Sequence, residues 1–213
     1  MSDWFYYMVY GLGWPAFAIS ASPVVLHRER IPRKGPFLLA SNHLSPYDVP
    51  LLIKETPRVL DFVSIEEVFR NPFVAWFYGN MGAFPLNRGK VDTATTRTIL
   101  DRLGRGRVVA LFPEGRIRTG SDSVIHGGNM KPGVLRLARI ANVPILPVVV
   151  LGSAAYHRLA SWMPGRNVLY GVNYGEPIVI QSGSQDLVEL EDGLRAAYVS
   201  LNAELSETMR ARR

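Results

Sequence analysis

One stretch of the sequence indicates the fold of the chain: Phe37-Leu38-Leu39-Ala40-Ser41-Asn42-His43-Leu44-Ser45-Pro46-Tyr47-Asp48. Its first four residues are apolar and predict a short buried strand. Ser45, Pro46 and Asp48 predict the start of a helix, as an N-cap, a first-turn proline and an acid three residues after the cap. His43 then lies in the loop between strand and helix, within reach of the Asp48 carboxylate. A histidine oriented in this way can act as a general base.

Taken alone, this short pattern also fits a capping acid next to an ordinary loop histidine.

The composition of the chain limits the size of its fold, the kinds of site it can form and the classes of molecule it can bind. Its 213 residues are enough for one domain with a sizeable core. The absence of cysteine excludes thiol nucleophiles, cysteine-ligated metals and disulfides. A net charge of +6 favours an anionic partner, and 47% hydrophobic residues favour a membrane surface over nucleic acid. We expect no nucleic-acid binding, because the basic residues are spread along the chain and form no recognised module.

Residues 4–26 contain no charged side chain and are rich in aromatic residues near their start. The length is just enough for a bilayer span, but Pro15 interrupts the run and the aromatic content suits the membrane interface. We therefore predict a broken hydrophobic hairpin or a helix that enters one leaflet; spanning the bilayer and packing on the protein's own core stay open as alternatives. A basic collar follows, suited to anionic headgroups on the cytoplasmic face of the cell membrane: Arg28, Arg30, Arg33 and Lys34. Residues 1–34 are thus predicted as a membrane-associating segment and residues 35–213 as the main domain.

Strand and helix patterns alternate after this segment. Strands are predicted at 59–63, 81–86, 108–112 and 144–151. Helices are predicted at 64–70 with a capping box of Ser64 and Glu67, then at 73–78, 92–103 and 131–141, and from residue 185 onward. This order predicts an α/β fold with a mostly parallel central sheet flanked by helices.

Polar residues follow several of the predicted strands. His43 and Asp48 follow the first, Arg88 and Lys90 the third, and Glu114, Gly115 and Arg116 the fourth, while Lys131 begins a later helix. Ligands of open α/β sheets bind at the carboxyl ends of strands. A base with several cations suits an acceptor that carries a hydroxyl and a phosphate. In the alternative interpretation Arg88 and Lys90 are solvated loop cations, Gly115 is only a turn glycine, and Glu114 pairs with a nearby arginine.

Four motifs in this region resemble those of the glycerolipid acyltransferases, the group of lysophosphatidate (1-acylglycerol-3-phosphate) acyltransferases. They cover about residues 37–150 in the order found in that family. They are Asn42-His43 with Asp48; Gly82 with Phe84 and Arg88; Phe112-Pro113-Glu114-Gly115; and Val143-Pro144-Ile145-Leu146-Pro147-Val148.

The resemblance implies a glycerol-3-phosphate acyltransferase-like fold and an O-acyltransferase. Such an enzyme moves a fatty acyl chain from acyl-CoA or acyl carrier protein to the free hydroxyl of a lysophospholipid, most simply 1-acylglycerol-3-phosphate, to give phosphatidic acid. By the same resemblance His43 is the general base, Asp48 holds its tautomer, and no acyl-enzyme forms. The acceptor phosphate would be bound by Arg88, Arg116 and Lys131. Glu114 and Gly115 would shape the turn, with Glu114 orienting the acceptor's glycerol or an arginine. No cofactor and no metal are implied.

The sequence departs from the family where Thr and then Arg-Ser often follow Glu-Gly. Arg116-Ile117-Arg118 stands there, so the choice between Arg116 and Arg118 as the phosphate ligand stays open. The aromatic segment 73–78 and the N-terminal segment are expected to line an apolar groove for the acyl chain. His27, His126 and His157 have no acid at comparable spacing and are expected to be structural or exposed. A non-catalytic lipid-binding or membrane-scaffold protein on the same fold is the alternative function.

Overall fold

The computed structural model describes residues 3–86, 93–180 and 186–212. Within these ranges strands and helices alternate along most of the chain. The strands are β1 (Ala21–Leu26), β2 (Phe37–Ser41), β3 (Leu60–Ile65), β4 (Phe84–Leu86), β5 (Val108–Leu111), β6 (Ile145–Leu151) and β7 (Val168–Tyr174). The α-helices are α1 (Trp4–Ser20), α2 (Asp48–Glu55), α3 (Pro72–Asn80), α4 (Thr93–Gly104), α5 (Gly133–Ala141) and α6 (Leu187–Ala211).

All seven strands form one sheet in the order β1-β7-β6-β2-β5-β3-β4. Neighbouring strands are parallel except for β6 and β7, which pair antiparallel. The prediction of an α/β fold with a mostly parallel sheet is therefore confirmed. β2 lies inside the sheet, and each of its five residues is buried, as expected for a strand covered on both faces.

Two apolar layers cover the two faces of the sheet. Side chains alternate along β2, so that Leu38 and Ala40 enter one layer while Phe37 and Leu39 enter the other. The first layer contains the buried sides of α4, α5 and α6, and the second contains those of α1 and α2. The helix predicted from residue 185 onward is confirmed as α6, and its buried residues recur every three or four positions: Leu190, Leu194, Tyr198, Leu201, Leu205 and Met209.

The uncharged N-terminal run is divided between a helix and a strand. α1 continues through Pro15 to Ser20, and β1 then joins the sheet beside β7, from Ala21 against Val168 to Leu26 against Asn173. The expected break at Pro15 is therefore wrong, and part of the run is apolar because it belongs to the sheet. In the described parts of the chain, no helix combines the length and apolar character needed to cross a membrane. The division at residue 34 and the membrane association of this segment stay predictions.

Two helix starts differ from prediction. α2 begins at Asp48 after a turn, because the Tyr47 N–H donates to Ser45 Oγ and the Asp48 N–H donates to the Ser45 carbonyl. Ser64 does not cap a helix but belongs to β3, and a short 3₁₀-helix, Glu66–Arg70, follows it. The start of α3 is confirmed, since Asn71 Oδ1 accepts the N–H groups of the first turn.

Candidate active site

The loops that follow β2 and β5 meet at one edge of the sheet. The two strands are parallel and adjacent, with Ala40 opposite Leu111, so the residues just beyond their carboxyl ends are neighbours. The His43 N–H donates to Glu114 Oε2 at 2.8 Å, and the Arg118 N–H donates to the His43 carbonyl at 2.8 Å. Both sides of the His43 backbone are thereby fixed to the segment after β5.

Asn42 continues the sheet by one more pair of hydrogen bonds. Its side-chain amide donates to the Val150 carbonyl at 2.9 Å, and its Oδ1 accepts the Val150 N–H at 2.8 Å. The side chain thus stands in for a backbone strand partner of β6 and is fully buried. This explains physically why an amide precedes the histidine: it anchors the loop at the point where β2 ends.

His43 and Asp48 form the pair that the sequence predicts. Asp48 Oδ2 lies 3.0 Å from His43 Nδ1 and also accepts the N–H groups of Leu44 (2.7 Å) and Ser45 (2.9 Å). Because a buried carboxylate accepts, Nδ1 carries the proton and Nε2 is left as the acceptor. The His43 side chain is 16% exposed, whereas Asp48 is completely buried. The arrangement orients the imidazole and leaves a basic nitrogen for a ligand.

A ring contact fixes the plane of the imidazole. The His43 ring stacks on the Phe112 ring with 4.0 Å between centroids and 17° between planes. Phe112 was not among the residues expected to contact the histidine. The signal that could have indicated it is its position at the end of β5, next to Pro113 and Glu114, in line with the residues that follow β2.

Glu114 is a buried anchor rather than a ligand for an arginine or an acceptor. Its Oε2 accepts the His43 N–H, and its Oε1 accepts the Ser123 hydroxyl at 2.6 Å and the Val124 N–H at 2.9 Å. The residue is 1% exposed. Burial raises the pKa of the Glu114 carboxyl above its ordinary value, and the three hydrogen bonds oppose that rise. The expectation that Glu114 orients glycerol or an arginine is not met, because both of its oxygens are occupied within the protein.

The change Glu114→Gln is expected to lower the free energy of unfolding by about 1–3 kcal/mol. Whichever way the amide is turned, its NH₂ group faces a fixed backbone N–H, that of His43 or that of Val124, and a buried donor loses its acceptor. Denaturant unfolding measures the loss, with Glu189→Gln on the exposed side of α6 as the matched control. An unchanged unfolding midpoint for Glu114→Gln would contradict the anchoring role.

Gly115 and Lys131 lie against each other. Gly115 has φ +69°, and a Cβ built on it would lie 2.8 Å from Lys131 Cε and 2.9 Å from Nζ. The Lys131 N–H donates to the Pro113 carbonyl at 2.8 Å. A side chain at position 115 would displace the lysine, so the glycine allows the lysine to lie directly over the turn after β5.

The predicted arginines have different surroundings. Arg116 is exposed and lines the cavity described below. Arg118 is partly buried, and its Nη1 lies 3.9 Å from Asp122 Oδ2. Its Nε has no hydrogen-bond partner in the part of the chain that the structure describes. Arg88 and Lys90 lie outside the described residues.

A cavity of about 820 Å³ extends from His43 beneath α1 and α3. Its floor comes from β3 and β5, its walls from α1, α2 and α3, and most of its lining is apolar. It contacts His43, Gly115 and Arg116, and it also contacts Lys54 near the end of α2. Aromatic lining from both predicted segments is present, with Tyr10, Trp14 and Phe17 from α1 and Phe77 and Tyr78 from α3.

The other histidines lie outside this site. His27 has no acid at the spacing of His43 and Asp48, but its Nε2 lies 2.8 Å from Glu204 Oε1 and its Nδ1 lies 3.3 Å from Glu29 Oε1. Because Glu204 belongs to α6, far away in the sequence, this contact agrees with the structural role expected for His27. His126 and His157 are exposed, as expected. Among the described residues, no group of three or more histidine or acidic side chains is arranged to hold a metal ion.

Comparisons with known proteins agree with this architecture. The 1-acyl-sn-glycerophosphate (LPA) acyltransferase PlsC from Thermotoga maritima superposes with a TM-score of 0.75 at 23% identity, over 94% of this chain and 79% of that one. At this identity the likeness concerns the fold alone.

Sequence relatives cover the same region. A lyso-ornithine lipid O-acyltransferase of Pseudomonas aeruginosa is 29% identical over 138 residues, which are 64% of this chain and 51% of that protein. A 1-acyl-sn-glycerol-3-phosphate acyltransferase of Streptococcus pneumoniae is 25% identical over 155 residues, 71% of this chain and 54% of that protein. The chain therefore spans about half the length of these curated relatives.

A family model adds the last observation. The Acyltransferase family model matches residues 23–151, a range that begins in β1 and ends with β6. It includes His43, Asp48 and the whole turn after β5. The chain belongs to the Acyltransferase family.

Proposed function

We propose that the chain transfers a fatty acyl group from a thioester donor, acyl-CoA or acyl carrier protein, to the free hydroxyl of a lysophospholipid. The observation that carries the proposal is the oriented His43–Asp48 pair, whose histidine lines a large apolar cavity. The family membership and the relatives named for acyl transfer to lysolipids support the same reaction class.

In the proposed reaction His43 Nε2 takes the proton of the acceptor hydroxyl as its oxygen attacks the thioester carbonyl carbon. The new C–O bond forms, the C–S bond breaks, and the proton passes from the imidazolium to the leaving sulfur, which gives an ester and a free thiol. Asp48 holds the proton on Nδ1 and stabilises the imidazolium that forms in between. No acyl-enzyme is needed, because the histidine activates the acceptor directly.

Arg116 and Lys131 are the proposed ligands of the acceptor's anionic headgroup, with Arg88 as a further candidate. Arg116 lines the cavity beside His43, and Lys131 lies over Gly115 at the same turn. A guanidinium and an ammonium at this turn suit phosphate oxygens. Arg118 is the weaker candidate, since its backbone supports His43 and its side chain faces Asp122.

1-Acylglycerol-3-phosphate is the proposed acceptor, and phosphatidic acid the product. A lyso-ornithine lipid is the second candidate, because the relative from Pseudomonas aeruginosa is named for it. The test is release of free thiol from palmitoyl-CoA by the purified protein with each acceptor, followed by detection of the acylated lipid. The absence of thiol release with either lysolipid, from a protein that still binds vesicles, would favour the lipid-binding alternative.

The apolar cavity is the proposed site of an acyl chain. We expect Gly13→Leu to shift the donor preference toward shorter acyl chains, since Gly13 lines the cavity and a Cβ added to it would meet no other atom within 4 Å. Gly11→Leu is the matched control, because Gly11 is exposed on the same helix and gains the same helix propensity, about 0.8 kcal/mol. Turnover measured over a series of acyl-CoA chain lengths compares the two variants. An identical chain-length profile in both would contradict this assignment of the cavity.

Association with the cytoplasmic face of an anionic membrane is part of the proposal. Exposed aromatic and aliphatic side chains form a stripe along the outer face of α1 and continue onto α3, where Phe5 packs against Trp76 with 5.1 Å between ring centroids. They are Trp4, Tyr7, Leu12, Trp14, Ile19, Phe73 and Trp76. Aromatic side chains of this kind favour the membrane interface, and a helix with such a face can lie in one leaflet without crossing it.

A further inference from the structure

The loop between β6 and β7 exposes apolar side chains between two arginines. Its tip reads Arg158-Leu159-Ala160-Ser161-Trp162-Met163-Pro164-Gly165-Arg166. Leu159 is 89% exposed and Met163 is 56% exposed, although both are large and apolar. Arg158 and Arg166 are also exposed, and neither has a carboxylate within 4.0 Å in the described ranges of the chain.

Internal contacts hold this loop in a defined shape. The Trp162 indole N–H donates to the Tyr156 carbonyl at 3.0 Å, and the Ser161 hydroxyl donates to the Ala155 carbonyl at 2.7 Å. The Trp162 ring packs on Phe17 with 5.2 Å between centroids. Trp162 therefore fills the inner side of the loop, and Leu159 remains on the outside, away from the core.

The loop is continuous with the exposed stripe of α1. The Gly165 N–H donates to the Ile19 carbonyl at 2.9 Å, and Ile19 is itself exposed at the end of that stripe. The loop also reaches the candidate active site, because Trp162 lies 5.9 Å from the ring of Tyr47, the residue before Asp48. One surface thus joins α1, the loop and the neighbourhood of His43.

We propose that residues 158–166 form a second membrane-docking element, which inserts Leu159 and Met163 into the apolar layer of an anionic bilayer while Arg158 and Arg166 bind its headgroups. This inference rests on the membrane association in the proposed function and extends it to a loop far from α1 in the sequence. The two arginines supply charge complementarity to an anionic surface, and exposed aliphatic side chains between them gain free energy by leaving water. Docking at this loop would place Tyr47, and with it the neighbourhood of Asp48, near the membrane interface.

A single fluorescent label tests insertion directly. Because the chain has no cysteine, the variant Leu159→Cys carries one reactive thiol for an environment-sensitive dye. We expect blue-shifted emission, and quenching by spin-labelled lipid, when vesicles of phosphatidylcholine with phosphatidylglycerol are added. The control is Ile140→Cys on α5, which is 65% exposed on the other face of the sheet and should show neither change. Emission from the Leu159→Cys label that stays unchanged, while the protein sediments with the vesicles, would overturn the proposal.

Binding variants test the contribution of each pair. Leu159→Ser with Met163→Ser is expected to weaken partitioning into vesicles about tenfold. Arg158→Gln with Arg166→Gln is expected to weaken it about tenfold on anionic vesicles and not on pure phosphatidylcholine. Arg139→Gln with Ile140→Ser is the matched control and should bind like the parent.

The outcomes separate this inference from the proposed function. Parental binding by both loop variants would refute the docking loop and leave the acyltransferase proposal intact. A parent that binds no vesicles would refute membrane association as a whole. Turnover of a short-chain, monomeric lysolipid by the loop variants should equal that of the parent, which also shows that they are folded.

Discussion

Replacement of His43 by alanine is expected to lower acyl-transfer turnover about 100- to 10,000-fold, the usual contribution of a general base. The imidazole lines the cavity and offers a basic nitrogen there, with its Nδ1 held by Asp48 and its ring held by Phe112. The variant should still fold. Its loss of one hydrogen bond and one ring contact amounts to about 1–3 kcal/mol, less than the roughly 5–15 kcal/mol that stabilises a typical domain.

The measurement is acceptor-dependent thiol release at saturating donor, alongside thermal unfolding of the same preparations. His126→Ala is the matched control, because His126 is exposed and its backbone hydrogen bond to Ser123 does not need the imidazole. Turnover of His43→Ala within a few-fold of the control would exclude His43 as the base.

The order of elements and the place of the site could be predicted because both depend on local patterns. An apolar run, a polar loop and a helix start recur along the chain, and parallel pairing then brings the ends of β2 and β5 together. The positions of His43, Asp48, Gly115 and Arg116 follow from that rule alone. The pairing of His43 with Asp48 is a contact between residues five apart, within reach of a sequence argument.

β1 could not be recognised as a strand, because burial in a sheet and burial in lipid select the same apolar side chains. Its partner β7 lies far away along the chain, with Ala21 opposite Val168. Hydropathy measures how strongly a segment avoids water and carries no information on what covers it. A break was expected at Pro15 for a different reason, since proline lacks an N–H donor and clashes with the preceding turn, but α1 continues through Pro15 on its exposed side.

Glu114 shows the same limit for a polar residue. The sequence marks it as an acid in a turn, next to arginines that suggest an ion pair. Its actual partners are donors from two other loops, His43 and the Ser123–Val124 pair. A buried carboxylate needs several donors, but which segments supply them is decided by tertiary structure. The role of Glu114 therefore changes from contact with the acceptor to support of the histidine loop.

Two substitutions of Asp48 are expected to separate its geometric role from its charge. Asp48→Asn should keep the loop, because the two backbone N–H groups of Leu44 and Ser45 require an acceptor where Oδ2 now lies. The amide oxygen then takes that position and still accepts from His43 Nδ1, so the tautomer is preserved. What is lost is the negative charge that stabilises the imidazolium. A charged hydrogen bond contributes about 1.5–3 kcal/mol, which predicts about 10- to 100-fold lower turnover. The new NH₂ group replaces Oδ1, which is buried and has no hydrogen-bond partner in the described part of the chain, so we expect a loss of about 1–3 kcal/mol in unfolding free energy as well.

Asp48→Ala removes the acceptor shared by all three donors, so both effects should be larger. Two buried backbone N–H groups lose their partner, at a cost of about 2–5 kcal/mol in unfolding free energy, and the imidazole is free to rotate or change tautomer. Turnover should fall about 1,000-fold or more, because misplacing a reacting group by about 1 Å already costs about 100-fold. Thiol release and denaturant unfolding of both variants, with Asp101→Asn on the surface of α4 as control, give the comparison. Full activity of the Asp48→Asn variant would show that the negative charge is not needed. If both variants lost the same turnover and were as stable as the parent protein, the N–H groups of Leu44 and Ser45 would not be what fixes the side chain at position 48.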